Sequence, residues 1–316
     1  MKIVILDTCT ISNGDVSLNK LEALGGDILY YDVLGKKEII KAAKEADAII
    51  CNDSNIDEEI MSACPNLKYV GVCSTGYNNI DLDAATKHGI LVANVPGYST
   101  NSVATLAFAM ILEFATSLSL YNASVHAGEW VKSSQFSYFC YPITELSGKT
   151  LGIYGFGNIG SKVAEIGKAL GMNIIAYTKS KKTSEYVRFI SQEELFVNSD
   201  FLSLHCSLNK DTVGIVNSET LSLMKKSAFL INTSRGDVIV EEDLVDALNN
   251  DVIAGAGIDV LRIEPMQENH PYLKAKNCLI TPHIGWASVE TRERLIGLVA
   301  QNIRAFFAGN PINIVN

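Results

Sequence analysis

Three side chains in the last third of the sequence have the types needed to move a proton beside a bound anion. They are Arg235 in Thr233-Ser234-Arg235-Gly236, Glu264 in Glu264-Pro265, and His283 in Pro282-His283-Ile284-Gly285-Trp286. A guanidinium can hold a carboxylate and polarise a carbonyl, while a histidine gives or takes a proton near neutral pH. A carboxylate beside such a ring fixes its orientation and favours its protonated form, which is the part Glu264 suits. Taken singly, each fits equally well a surface arginine, a helix-capping glutamate or a histidine bonded within a turn. Their joint meaning depends on a fourth feature, Gly155-Phe156-Gly157-Asn158-Ile159-Gly160, which spells GxGxxG.

That motif sits where it can work. An apolar run at 151–154 precedes it, residues 161–170 follow with apolar positions at Val163, Ile166 and Leu170, and a second apolar run occupies 174–177. Strand, tight turn, helix and strand form the context in which GxGxxG binds a dinucleotide. The first glycine permits the turn, the second lets backbone approach a pyrophosphate, and the third lets helix pack on strand.

The rest of the chain repeats this alternation. Residues 3–6, 28–31, 48–51, 69–73 and 91–94 read as strands with helical periodicity between them; 201–205, 229–233, 254–259 and 279–281 read as strands after the fingerprint, with a helix at 241–249. The class is α/β, with two doubly wound parallel-sheet domains. Ligands of such sheets sit beyond the carboxyl ends of the strands, where Arg235, Asp259, Glu264 and His283 fall. The turn Ser74-Thr75-Gly76-Tyr77-Asn78-Asn79 after the fourth strand suits a carboxylate, or simply caps the helix beginning near Asp81.

A long apolar helix is predicted at 99–120, crossing between the domains, with Ser99, Thr100 and Asn101 as possible caps. The aromatic stretch 121–146, with Trp130, Phe136, Tyr138, Phe139 and Tyr141, is predicted to be an irregular arm that docks a second copy of the chain or lines the substrate site. The last helix, near 288–308, returns to the first domain, making it discontinuous: 1–98 plus 286–316, with 99–285 as the dinucleotide-binding domain and 99–146 as its dimerisation helix and arm.

Composition sets the outer limits. The chain has 316 residues, 47% hydrophobic and 19% charged, enough for two well-packed domains. Its net charge of −9 argues against a nucleic-acid partner. Seven cysteines, at 9, 51, 64, 73, 140, 206 and 278, include no CxxC pair, which fits reduced thiols in the cytoplasm and no metal site. The N-terminal apolar run is too short for a signal peptide, and 104–120, interrupted by Glu113, is too short for a bilayer helix.

Several motifs in order make the sequence resemble the D-isomer-specific 2-hydroxyacid dehydrogenases: Ser74 to Asp81, the fingerprint, Leu204-His205-Cys206-Ser207-Leu208, Arg235-Gly236, Asp259 to Pro265, and Pro282-His283. Within that family, residues 283–287 and the Cys51-Asn52 turn look most like glycerate dehydrogenases, also called hydroxypyruvate reductases. The resemblance implies a flavodoxin-like substrate domain, a Rossmann domain and a homodimer. It implies that Arg235 binds and polarises a 2-keto acid, that His283 is the general acid or base, and that Glu264 tunes it. The substrate carboxylate would be held near Ser74, Thr75 and Gly76, with Asn52 and Trp286 bounding the pocket. Cys206, Ser207, Thr212, Thr233, Ser234, Asp259 and Gly285 would join Thr75, Arg235, His283 and the fingerprint in facing the cofactor; His205 borders the nicotinamide without a catalytic role. His88, His126 and His270 read as solvated or structural.

Two positions depart from the family pattern. Eighteen residues after Gly160, where an Asp or Glu usually holds the ribose hydroxyls, stands Thr178, followed by Lys179, Ser180, Lys181 and Lys182. The missing carboxylate and adjacent cations suit NADP, and a solvated basic loop with NAD fits as well. Thr105 replaces a glutamate common in relatives and has no functional account. The turn Asn52-Asp53-Ser54-Asn55 carries an acid and no cation, which disfavours a phosphorylated substrate and leaves hydroxypyruvate and glyoxylate. D-lactate dehydrogenase and a nucleotide-sensing corepressor are the alternatives; Glu264 argues against a formate dehydrogenase.

Overall fold

A computed structural model describes all 316 residues. The chain forms two compact units, one from Met1–Ser99 with Ala287–Asn316, the other from Thr100–Trp286.

The first unit holds β1 (Lys2–Ile5), β2 (Asp27–Tyr30), β3 (Ala48–Cys51), β4 (Tyr69–Val72) and β5 (Leu91–Ala93). They form one parallel sheet in the order β2-β1-β3-β4-β5. Strands β3 and β4 are buried along their whole length. Helices on both faces explain why their sequences are continuous apolar runs rather than alternating ones. Val4, Ile49, Val70 and Val92 meet Ile39, Ile60 and Ala84 in the core. The far end of the chain is tied in by polar contacts: in helix Val289–Phe307, Arg292 grips the Asp15 carboxylate with both terminal nitrogens, at 2.8 and 2.6 Å, and Ile314 bridges antiparallel to Ala93.

The second unit holds β6 (Thr150–Tyr154), β7 (Asn173–Tyr177), β8 (Val187–Phe189), β9 (Phe201–Leu204), β10 (Phe229–Asn232), β11 (Gly255–Ile258) and β12 (Cys278–Ile280). The order β12-β11-β10-β9-β6-β7-β8 is again fully parallel. One face packs Ile153, Phe201 and Ile231 against Phe108, Ile111 and Val163; the other packs Leu202, Leu230 and Ala256 against Leu244 and Tyr272. In each sheet the strand order reverses once, between β1 and β3 and between β6 and β9. Those reversals open the crevices where α/β sheets bind ligands.

The fold class agrees with the sequence reading, and three details differ from it. Strand β8 carries no strand signal in the sequence, because it is three residues long with only Val187 buried and follows a polar, lysine-rich stretch. The predicted helix at 99–120 is two helices, Thr100–Thr116 and Leu118–His126, bent by 58°. The break is at Ser117, whose φ is 50° and whose hydroxyl donates to the Pro142 carbonyl at 2.8 Å. The first of these helices lies wholly in the second unit instead of crossing between units. The stretch 121–146 is less irregular than predicted, since it contains most of Leu118–His126 and the short helix Glu129–Lys132. No single helix is long and apolar enough to cross a membrane.

Candidate active site

Every residue singled out past β6, β7, β9, β10, β11 and β12 lies on the carboxyl edge of the second sheet, because all seven strands run the same way. The fingerprint turn shows what its glycines are for. Gly155 has φ of 95°, and a Cβ there would lie 2.7 Å from the Cys206 nitrogen; a Cβ on Gly160 would lie 2.2 Å from the Gly155 oxygen. Backbone therefore packs on backbone across the β6–β9 reversal. A Cβ on Gly157, by contrast, would meet nothing within 4 Å. Gly157 caps helix Asn158–Ala169, so the open space lies at a helix N-terminus, where free N–H groups and the helix dipole favour an anion. Phe156 turns edge-on to Phe189, with ring centroids 5.2 Å apart.

Around this crevice the side chains are placed in order along the sheet. Thr178 follows β7, its hydroxyl 3.4 Å from Ser180, and the Lys179 ammonium pairs with Asp211 at 2.5 Å. Past β9, Thr212 donates to the Ser207 carbonyl at 2.7 Å, and burial pushes the Cys206 thiol up to about 11. His205 places Nε2 2.8 Å from the Ser203 hydroxyl, while its Nδ1 is shut off from solvent without a partner; desolvation pulls the ring's pKa down to about 3. Thr233 Oγ1, at the end of the neighbouring strand, is likewise buried and unpartnered. The open Gly157 cradle and these two unsatisfied polar atoms fit a bound dinucleotide.

Arg235 is aimed by its neighbours. Asn232 at the end of β10 accepts the Ser234 N–H and hydroxyl at 3.0 and 2.8 Å and donates to the Arg235 carbonyl at 2.9 Å. The Arg235 guanidinium in turn donates to the Ser234 carbonyl at 2.7 Å. Gly236 is required by packing, since a Cβ there would lie 1.9 Å from the Leu261 carbonyl carbon.

His283 stands in the left-handed region with φ of 54° and bonds through Nδ1 to Glu264 Oε2 at 2.6 Å. Asp259 builds the turn that carries it. Its buried carboxylate accepts the Thr281 hydroxyl at 2.6 Å and the Ile284 and Gly285 N–H groups at 2.8 and 2.9 Å, and its carbonyl accepts the His283 N–H. Burial holds the Asp259 pKa above the ordinary value despite these bonds. Burial also acts to raise Glu264, but the His283 hydrogen bond and charge, the Leu261 N–H and the Arg235 charge outweigh it and leave that carboxyl below its ordinary value. Trp286 ends the second unit.

The first unit carries the remaining residues on the carboxyl edge of its own sheet. Ser74, Thr75 and Gly76 follow β4; the Ser74 hydroxyl donates to the Gly76 carbonyl, Thr75 Oγ1 donates to Val95 at 3.0 Å, and Asn94 donates to the Thr75 carbonyl. Asn52 follows β3, its amide donating to Thr10 at 2.8 Å. Sequence reasoning missed the residue that shapes this loop. Asp7, buried after β1 with φ of 61°, accepts the N–H groups of Asn52, Asp53 and Ser54 and the Ser54 hydroxyl. An acid directly after an apolar strand was the available signal. His270, read as solvated or structural, is buried and faces Glu241.

The chain is similar to known proteins along its whole length. Residues 108–285 match the family model described as D-isomer specific 2-hydroxyacid dehydrogenase, NAD binding domain. The chain is 42% identical over 321 residues to a hydroxypyruvate reductase of Blautia hydrogenotrophica, covering 100% of both chains. It is also 42% identical over 291 residues to a glyoxylate reductase of Thermococcus litoralis, covering 88% of this chain and 86% of that one. Among solved structures, an acyclic imino acid reductase in complex with NADPH and D-Arg superposes with a TM-score of 0.90 at 31% identity, covering 100% of both chains.

Proposed function

This chain belongs to the D-isomer specific 2-hydroxyacid dehydrogenase family, and from that premise we propose that it reduces hydroxypyruvate to D-glycerate and glyoxylate to glycolate. It is an NAD(P)-dependent oxidoreductase. The observation that carries the reading is the 2.6 Å contact between His283 and Glu264 on the sheet edge that also bears Arg235 and the fingerprint.

A nicotinamide cofactor held at the fingerprint would supply the hydride for the carbonyl carbon. The protein supplies the rest. Arg235 holds the 2-keto acid and draws electron density toward the carbonyl oxygen, which gains charge in the transition state. Because Glu264 takes up Nδ1 of His283, Nε2 is the ring atom left to deliver a proton to that oxygen, and in the reverse direction to remove it. Trp286, at the end of the second unit, limits the length of the substrate. In this reading the first unit is the substrate domain and the second binds the dinucleotide.

The fingerprint would hold the cofactor's pyrophosphate, with Gly157 leaving it room and Gly155, Asn158, Ile159 and Gly160 shaping the turn. Thr178 offers no carboxylate to the ribose, so both NADH and NADPH are accepted, with Lys179 shared between Asp211 and a 2′-phosphate. Side chains exposed to 89% at Val131, 93% at Phe136 and 81% at Phe139 suit burial against a second copy of the chain. The test is initial-rate consumption of NADH and NADPH with hydroxypyruvate, glyoxylate and pyruvate. Turnover of the first two by wild type and its loss in His283→Ala, with cofactor still bound, is the expected result; slow turnover of all three would refute the reading.

A further inference from the structure

Glu264 stands on an excursion of the chain between β11 and the short 3-10 helix Pro271–Lys274, not on a strand or helix. Something must therefore hold it against His283. At the near end the Leu261 N–H donates to Glu264 Oε1 at 2.7 Å, and the Leu261–Arg262 backbone lies against Gly236. A second carboxylate spans the rest. Glu241, at the start of helix Glu241–Asn249 with a side chain only 12% exposed, accepts the Arg262 N–H through Oε1 at 2.9 Å and meets His270 Nε2 through Oε2 at 3.3 Å.

The roles of the His270 nitrogens follow from its neighbours. Nδ1 accepts the Tyr272 N–H at 3.3 Å, so Nε2 is the nitrogen that carries the proton, and it faces Glu241 Oε2. The ring lies 4.9 Å from that of Tyr272, which is buried in the core. One carboxylate thus ties down residues 262 and 270, and Glu264 lies between the two attachments.

We propose that Glu241 and His270 are positioning residues for the reaction, a buried clamp whose one function beyond folding is to keep Glu264 at bonding distance from His283. The proposal rests on the 2-keto acid reductase reading. It assigns the clamp an effect on proton delivery and none on the guanidinium of Arg235 or on the fingerprint.

A double-mutant cycle distinguishes this from general support of the fold. In Glu241→Gln, kcat for glyoxylate should fall about tenfold while KM and the dissociation constant of NADPH stay within about twofold. Added to Glu264→Gln, the same change should alter kcat by less than about twofold, because the group it positions is already disabled. Full multiplication of the two losses, or a loss expressed in KM or in cofactor affinity, would overturn the proposal. If Glu241→Gln does not fold, His270→Asn enters the same cycle with the same two readings. A wild type that reduces no 2-keto acid would instead overturn the reading beneath the clamp.

Discussion

Replacing Glu264 by glutamine keeps the shape of its contact with His283 and removes the charge. The bond is 2.6 Å long, and the two side chains are 35% and 40% exposed. A hydrogen bond involving a charged group contributes about 1.5–3 kcal/mol, and solvent screening at this exposure leaves about 1–2 kcal/mol. If that interaction is strongest when the ring delivers its proton, kcat should fall roughly 5- to 30-fold. Rates of NADPH oxidation across a range of glyoxylate concentrations separate kcat from KM, and fluorescence titration gives cofactor affinity. The sign of the pH dependence is fixed by the direction of the shift. Glu264 titrates below its ordinary 4.5, so its pairing is complete above that pH and is lost as pH falls through the lower folded value. Assays between about pH 6 and 8 therefore all sample the charged carboxylate. A kcat within twofold of wild type, or a loss confined to KM, would refute the assignment.

Gly236→Ala should cost about 1–3 kcal/mol or more in urea unfolding, because the added methyl meets main chain at 1.9 Å rather than a movable side-chain tip; a change within 0.5 kcal/mol would contradict that packing. His205 binds a proton near pH 6.5 when unfolded but only near pH 3 when folded, so stability falls on acidification by about 1.4 kcal/mol per pH unit between those limits. His205→Gln should flatten that slope, and an unchanged slope would count against a desolvated neutral ring. Thr178→Asp should lower the NADPH-to-NADH ratio of kcat/KM at least about tenfold, through repulsion of the 2′-phosphate and a new acceptor for the ribose; an unchanged ratio would remove Thr178 from the cofactor site. Phe136→Asp should shift the sedimentation coefficient toward a monomer, whereas an unchanged value would place the dimer contact elsewhere.

What was legible in the sequence was local. The fingerprint could be read because Gly155, Gly157 and Gly160 and their flanking strand and helix are contiguous, and each glycine answers a constraint within a few residues or at the adjoining strand end. The late strands could be read because they are short apolar runs, buried along most of β9, β10 and β11 and half-buried at the edge strand β12, and Arg235, Asp259 and His283 follow those runs directly. The features that escaped depend on distant partners. Asp7 shapes a loop 47 positions away, and Arg262, whose N–H is accepted by Glu241, lies 21 positions from it. The helix break at Ser117 is supported by the Pro142 carbonyl, 25 positions on, and nothing in the apolar periodicity of 104–120 marks it. Strand β8 is too short and too polar on its flanks to show a period, yet it completes the sheet edge beside β7.

The most direct test of the chemistry follows the hydride to its destination. Wild type would be given glyoxylate or hydroxypyruvate with NADH and NADPH carrying deuterium at both hydrogen positions of nicotinamide C4, and the product examined by NMR and chiral chromatography. Deuterium at C2 of the glycolate or glycerate, with the glycerate entirely in the D form, is the expected result. A product without deuterium at C2, or glycerate formed as the L enantiomer or a racemate, would contradict direct hydride transfer to one carbonyl face.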